Sequence, residues 1–394
     1  MARRVERPGP FDSRRLRGLR LGTVLAPYLF FLSSCSDTST TGLSETLEEN
    51  LQAAVDEAFA QAHGKGISVS VLVPGKPMWT GVAGVSHGSV PITEKSVFAA
   101  GSITKTFTAL TLLRLKEEGY LALDDSLHAW FPAYPNVDPD ITLRQLLNHT
   151  SGLSDFVDPP GWFSWLYSEP NKVWDMEEFF LETIRPPYFE KGTAWSYSTS
   201  GYLLLRMIIE RATGSTIAAQ YRQHVLEPLG LADTYVCPGD LLPTALVHGW
   251  FDLNGDNTYD DFHTVPNTAF CTAAGGQVYT TSADLAKLGN ALMRERTILE
   301  DATYNEMTDF YYPSGHDEPM AYGYGLGLMW FDDSFISGQR AFGHGGNAPG
   351  YAAGMLFLPD YGAIVTLMDN TEEGEAMSVL EPVLNVVMDY ISNN

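Results

Sequence analysis

Basic residues are scarce in this chain of 394 residues: 24 lysines and arginines stand against 48 aspartates and glutamates, a formal net charge of −24. That balance excludes the continuous basic face a nucleic-acid-binding protein needs. Cysteine is scarcer still, at three, and without a partnering histidine pattern it makes no zinc site. No apolar run is long enough for a membrane-spanning helix, and no internal repeat is evident. What the chain does have is 44% hydrophobic and 12% aromatic residues, enough for one large domain or two intimate ones. Its 36 glycines and 23 prolines suit a loop-rich enzyme better than a helical bundle.

The first residues differ in kind. Residues 1–20 carry seven arginines, with Glu6 and Asp12 as the acids. An apolar run follows from Leu21 to Leu32, then Ser33-Ser34-Cys35. A basic start, an apolar core and small residues make a secretory signal. Leu32-Ser33-Ser34-Cys35 resembles a bacterial lipobox, which implies cleavage before Cys35, lipid on its sulfur, and a chain exported and anchored to the bacterial membrane, facing periplasm or exterior. An ordinary signal peptide with an incidental cysteine is the alternative. Ser13-Arg14-Arg15-Leu16 resembles a twin-arginine signal, interrupted by Arg17. Without residues 1–35, 17 bases face 46 acids, a net charge of −29, which favours solubility and repels anionic lipid and nucleic acid. Cys237 and Cys271 remain, and in an oxidising compartment they can pair.

Residues 36–43 are a polar tether behind the anchor. Leu47, Leu51, Val55 and Phe59 then mark a helix. Strands are expected at Ile67–Val73 and Trp79–Val85, and an apolar helix from Ser102 through Phe107, Leu110 and Leu113. Residues 113–274 read as a mostly helical insertion, with helical patches near Arg144, Met176 and Leu203. Thr281-Ser282-Ala283-Asp284 caps a further helix. Strands return at Ala341–Phe342, Tyr351–Leu358 and Ala363–Met368, and an amphipathic helix closes the chain. The order predicts an α+β fold within residues 44–394: an antiparallel sheet, built from about 44–112 and 275–394 and flanked by helices, with the helical part inserted.

Ser102-Ile103-Thr104-Lys105 places a hydroxyl and an amine one helical turn apart. If that face is buried, the lysine loses hydration, its pKa falls, and the neutral amine can take the serine's proton. Alone the spacing is weak; three further blocks follow it in the chain. Leu143-Arg144-Gln145-Leu146-Leu147-Asn148-His149-Thr150-Ser151-Gly152-Leu153 puts His149 at a helix end, tied to backbone. Gly192-Thr193-Ala194-Trp195-Ser196-Tyr197-Ser198-Thr199 supplies a tyrosine, and Phe342-Gly343-His344-Gly345-Gly346-Asn347 a glycine-rich edge. Together the four blocks resemble the serine β-lactamase and penicillin-binding-protein superfamily, closest to the class C β-lactamase-like branch of D-amino-acid peptidases and esterases. The likeness runs from about Ser44 to the C-terminus.

The resemblance implies roles. Ser102 is the nucleophile, with Lys105 and Tyr197 moving protons. The lysine's charge would ease ionisation of the Tyr197 phenol. Thr199 stands where the family usually has asparagine, and His344 where lysine is common, a weaker anchor for a substrate carboxylate. Gly346 lets substrate lie along the strand edge, and the backbone N–H groups of Ser102 and Asn347 form the oxyanion hole. No cofactor is required. A rival motif, Gly84-Val85-Ser86-His87-Gly88, matches a nucleophile elbow but lacks the following helix and reads as a hairpin turn. Asp252, Asn254, Asp256 and Asp260 resemble the start of a calcium loop, whose ion would be structural; a solvated acidic turn is the alternative.

The expectation is a serine hydrolase acting through an acyl-enzyme on small-molecule or peptide amides or esters, a D-amino-acid peptidase, carboxypeptidase or esterase. The alternatives are a non-catalytic fold that binds cell-wall peptides and a true class C-type β-lactamase. The oligomeric state is left open.

Overall fold

Strand β1 (Gly66–Leu72) shows how the sheet divides the protein. Its side chains alternate between faces. Ile67, Val69 and Val71 enter a core formed with α1 (Leu47–Gln61) and the C-terminal helix (Ala376–Ser392). Ser68 and Ser70 point the other way and share the Ser282 hydroxyl, each at 2.8 Å. Ser282 opens the helix Ser282–Gly289, capped by Thr281, whose Oγ1 accepts the Asp284 N–H. Pairing these hydroxyls with one another is what lets polar side chains line a buried sheet face. The computed structural model describes residues 46–394 apart from 62–63, 159–171, 253–257, 262–270, 272–275, 312–321, 332–337 and 372–375. Cys35, Asn254 and Asp256 lie outside the described residues, as do the signal and the tether.

The main sheet has eight antiparallel strands. After β2 (Trp79–His87), β3 (Val90–Pro91) and β4 (Phe98–Ala99), the chain returns to sheets as β5 (Tyr235–Cys237), β6 (Trp250–Phe251), β7 (Asp260–Asp261), β8 (Gln277–Thr280), β9 (Tyr322–Tyr324), β10 (Met329–Phe331), β11 (Ala341–Ala348), β12 (Tyr351–Leu358) and β13 (Ala363–Asp369). The main order is β3-β2-β1-β13-β12-β11-β10-β9, so β1 and β13 from opposite ends of the chain pair at its centre. β4, β8 and β5 form a smaller sheet. The architecture is the α+β fold expected, an antiparallel sheet flanked by helices.

Between residues 113 and 274 lie the helices Leu143–Leu147, Met176–Thr183, Thr199–Thr213 and Ile217–Tyr221, with β5, β6 and β7. Leu146, Leu204 and Ile208 join Phe107 and Leu110 of α2 (Thr104–Glu117) and Met355 and Phe357 of β12 in one core. The inserted helices therefore share the sheet's core. Cys237 and Cys271 form a disulfide with Cα atoms 5.5 Å apart. Ser86 lies in β2, buried, and its hydroxyl accepts the His248 N–H at 2.9 Å. The chain then turns into β3, so the elbow motif is a hairpin.

Leu51 is fully buried under the sheet. We expect Leu51→Ala to lower unfolding free energy by about 2–5 kcal/mol, measured by chemical denaturation. A cost under about 1 kcal/mol would show that this face is not closely packed.

Candidate active site

Ser102 sits on a short 3-10 turn, Gly101–Ile103, just ahead of α2. The turn is pinned to β8: the Ala100 N–H reaches Val278 O at 2.8 Å, and Thr104 Oγ1 accepts the Val278 N–H at 3.1 Å. Lys105 follows in the first turn of α2, with Nζ 3.3 Å from Ser102 Oγ. It is nearly buried, at 6% exposure. Nζ lies 4.7 Å from the Tyr197 ring centroid, 5.6 Å from that of Tyr202, and 3.5 Å from Thr199 Oγ1. Burial brings the amine's pKa down to about 8, against the charge of Asp155, which raises it. An amine held there is neutral often enough to accept a proton from an adjacent hydroxyl.

Tyr197 and Thr199 stand at the start of the helix Thr199–Thr213, whose cap is Ser198. His149 holds this corner. It follows α3 (Leu143–Leu147) with φ +63°, its carbonyl accepts the Ser196 N–H at 3.0 Å, and its Nδ1 accepts the Ser198 N–H at 3.1 Å. Its ring packs 4.3 Å from the Tyr197 ring. Both neighbours of Tyr197 and its ring are thus fixed by one histidine. Burial, with Lys105 and His344 nearby, pushes the His149 pKa well below its usual value, so the imidazole is neutral.

The structure reverses one expectation about Tyr197. Burial pushes its phenol pKa up, with only a partial downward pull from the Ser102 hydroxyl. Lys105 Nζ lies 4.7 Å from the ring centroid, yet desolvation of the phenolate dominates. Tyr197 is therefore a neutral phenol here, and its buried Oη makes no hydrogen bond of ordinary geometry. Of the two groups, the Lys105 amine is the one whose proton balance lies near neutral pH.

His344 also differs from expectation. It is fully buried in β11. Nε2 lies 2.9 Å from the Tyr324 hydroxyl, and Nδ1 is hydrogen-bonded to Gly345 O. With Nδ1–H donating to that carbonyl, Nε2 accepts from Tyr324. Burial first, then the charge of Lys105, lowers its pKa to about 3. A neutral imidazole with both nitrogens engaged is no cationic anchor for a carboxylate.

The strand edge and the nucleophile turn meet at their backbones. A Cβ on Gly346 would fall 2.1 Å from Ala100 O and 3.2 Å from Ser102 N. A Cβ on Gly101, which has φ +54°, would fall 2.6 Å from Asn347 N. This approach brings Ser102 and Asn347, the two residues expected to supply oxyanion donors, side by side. Asn347 is exposed, and space is open beside Gly345. Ser102, Lys105, Tyr197, Thr199, His344, Gly346 and Asn347 thus gather at one place.

Of the expected calcium-loop residues, Asp252 and Asp260 are described. Asp260 is exposed on β7, paired with Phe251 of β6. Asp252 directly follows β6. Among the described residues no cluster of three or more His, Cys, Asp or Glu side chains is placed to hold a metal. Sequence reasoning missed Asp155 and Tyr324. Asp155 lies two residues past the end of the His149 block, so its position near that block was the available signal; Tyr324 carries none.

Gly346→Ala is expected to drive β11 away from Ala100 and to cut turnover by about 100-fold or more, as loss of an oxyanion donor does. Steady-state kinetics with a circular-dichroism control checks this. Near-wild-type turnover would refute the close approach.

A family model described as Beta-lactamase matches residues 51–385. The chain is 29% identical over 294 residues to a penicillin-binding protein of Bacillus subtilis (strain 168); the match covers 72% of this chain and 62% of that relative's length. Among solved structures, a D-stereospecific amidohydrolase from Streptomyces sp. superposes with TM-score 0.73 at 30% identity, covering 85% of this chain and 97% of the other. A D-amino acid amidase from Ochrobactrum anthropi SV3 gives TM-score 0.75 at 27% identity, covering 88% and 99%. With the Ser102–Lys105 pair at the start of α2, close against β11, and a family match over most of its length, the chain belongs to the β-lactamase family.

Proposed function

We propose that the protein is a cofactor-independent serine hydrolase that works through an acyl-enzyme. The observation that carries this reading is the buried Lys105 amine 3.3 Å from Ser102 Oγ. Ser102 Oγ bonds to the substrate carbonyl carbon while its proton passes to neutral Lys105. The carbonyl oxygen takes the negative charge and is held by the N–H groups of Ser102 and Asn347. Collapse breaks the bond to the amine or alcohol, which leaves with the Tyr197 phenol proton, and the Lys105 ammonium restores that proton to Tyr197. Water then attacks the ester carbonyl, giving a proton to Lys105; the bond from that carbon to Ser102 Oγ breaks, the Lys105 ammonium returns the proton to Oγ, and the carboxylic acid leaves. Calcium at the Asp252–Asp260 hairpin would have no part in these steps.

The substrate class we favour is amides and esters of D-amino acids. Similarity to a D-stereospecific amidohydrolase and a D-amino acid amidase supports it. So does neutral, buried His344, which offers no fixed charge to a free carboxylate at the strand edge. Peptides presenting a C-terminal carboxylate there, and cephalosporins, are expected to turn over more slowly.

Neutral lysine is the reactive form, and its fraction grows as pH rises through about 8. We expect kcat/KM for a D-aminoacyl amide or a short ester to rise on an acid limb near that value. Ser102→Ala should abolish both turnover and fluorophosphonate labelling. A folded wild-type protein that neither labels nor hydrolyses any of a panel of amides, esters and cephalosporins would sink the enzyme reading in favour of a peptide-binding role.

We also propose that the chain is exported and held to the membrane by lipid on Cys35. The support is the sequence of residues 1–35. Radiolabelled palmitate fed to a bacterial expression host should enter the wild type but not Cys35→Ala, which should move to the soluble fraction. An unlabelled, soluble wild type would overturn the anchor.

A further inference from the structure

Asp155 takes no part in the steps above, yet it is buried beside them, with 3% exposure. Oδ2 accepts the Thr199 N–H at 2.7 Å, and Oδ1 lies 3.4 Å from the Val157 N–H. The Phe156 N–H reaches Ser200 Oγ at 3.1 Å, so the loop after Leu153 is tied twice to the first turn of the Thr199 helix. That turn already has Ser198 Oγ on the Gly201 N–H. A carboxylate at this end of a helix meets unpaired N–H groups and the positive end of the dipole. Held in this way, Thr199 presents Oγ1 3.5 Å from Lys105 Nζ.

We propose that Asp155 is a positioning residue for Lys105: it fixes where the Thr199 hydroxyl meets the amine, and its carboxylate is the counter-charge when Lys105 carries the serine's proton. The inference rests on the hydrolase reading above. Its physical basis is the dryness of the site. An ammonium forming among aromatic faces, away from water, is costly unless an opposite charge is already in place.

The groups around the lysine leave that role to Asp155. Tyr197 and Tyr202 are phenols whose pKa burial raises, and His149 and His344 are held neutral by burial. Asp155 acts on Lys105 in the opposite sense, raising its pKa. Burial is the largest effect on Asp155 itself and, with Asp158, raises its pKa; the Thr199 N–H, Lys105 and the Val157 N–H pull it back toward the charged form. Tyr188 completes the ring, its hydroxyl accepting the Asp155 N–H at 3.1 Å and donating to Asp158.

Asp155→Asn keeps an oxygen for the Thr199 N–H and removes the charge, so it separates scaffold from electrostatics. Without the anion the ammonium is less favoured, and Lys105 gives up its proton at lower pH. The acid limb of Ser102 labelling by a fluorophosphonate should therefore move down by about one pH unit. Ester kcat should fall about tenfold or more with KM little changed. A folded Asp155→Asn protein with the wild-type limb and kcat would overturn the proposal.

A second measurement needs no variant. In wild-type full-length protein labelled with 13C-aspartate, the Asp155 carboxyl signal should step as pH passes through the Lys105 titration. A carboxyl signal flat across that range would also overturn it. If wild-type Ser102 is never labelled, the hydrolase reading fails, and the carboxyl titration still decides whether the two charges are paired.

Discussion

The site depends on a place where two backbones touch with no side chain between them. Gly346 of β11 lies against Ala100 and Ser102, and Gly101 against Asn347. The first contact joins the sheet to the nucleophile turn; the second requires a backbone conformation that glycine tolerates best. Because both partners are main chain, neither can be moved by a change of rotamer. The helix bearing Lys105, the strand edge and the carbonyl-binding donors are therefore set relative to one another by covalent geometry and by the sheet ladder behind β11.

Near that contact lies the buried Lys105 amine. Lys105 is desolvated, with its pKa near 8, and the two histidines that share its surroundings are neutral. Two further cations so close would repel an ammonium at Lys105. Aromatic side chains serve this arrangement well. The rings of Tyr197 and Tyr202 lie beside the amine, exclude water and present electron-rich faces to it, while adding no titrating group near neutral pH.

Much of this was legible in the sequence, for a reason that also explains what was not. Ser102 and Lys105 are three residues apart on one element, so local geometry alone brings them together. His149 could be read as a backbone-tied residue at a helix end because Leu143–Leu147 is strongly patterned and the chain must leave it somehow; the clamp on Tyr197 lies 48 residues further on and leaves no local trace. The pairs Asp155–Thr199 and Tyr324–His344 are likewise long-range contacts. The strand β11 was recognised only at Ala341–Phe342, since its remaining residues, Gly343 to Ala348, are too glycine-rich to show the alternation that marks strands. The states of His344 and Tyr197 could not be read at all, because they follow from burial rather than residue type.

The two cores of the sheet bear on how a disturbance reaches the site. The helix carrying Lys105 contributes to one of them; α1 and the C-terminal helix belong to the other, on the opposite face. Loosened packing around either of those helices would be felt first on the face of the sheet away from α2, and the Ser102–Lys105 pair would feel it only through the strands between.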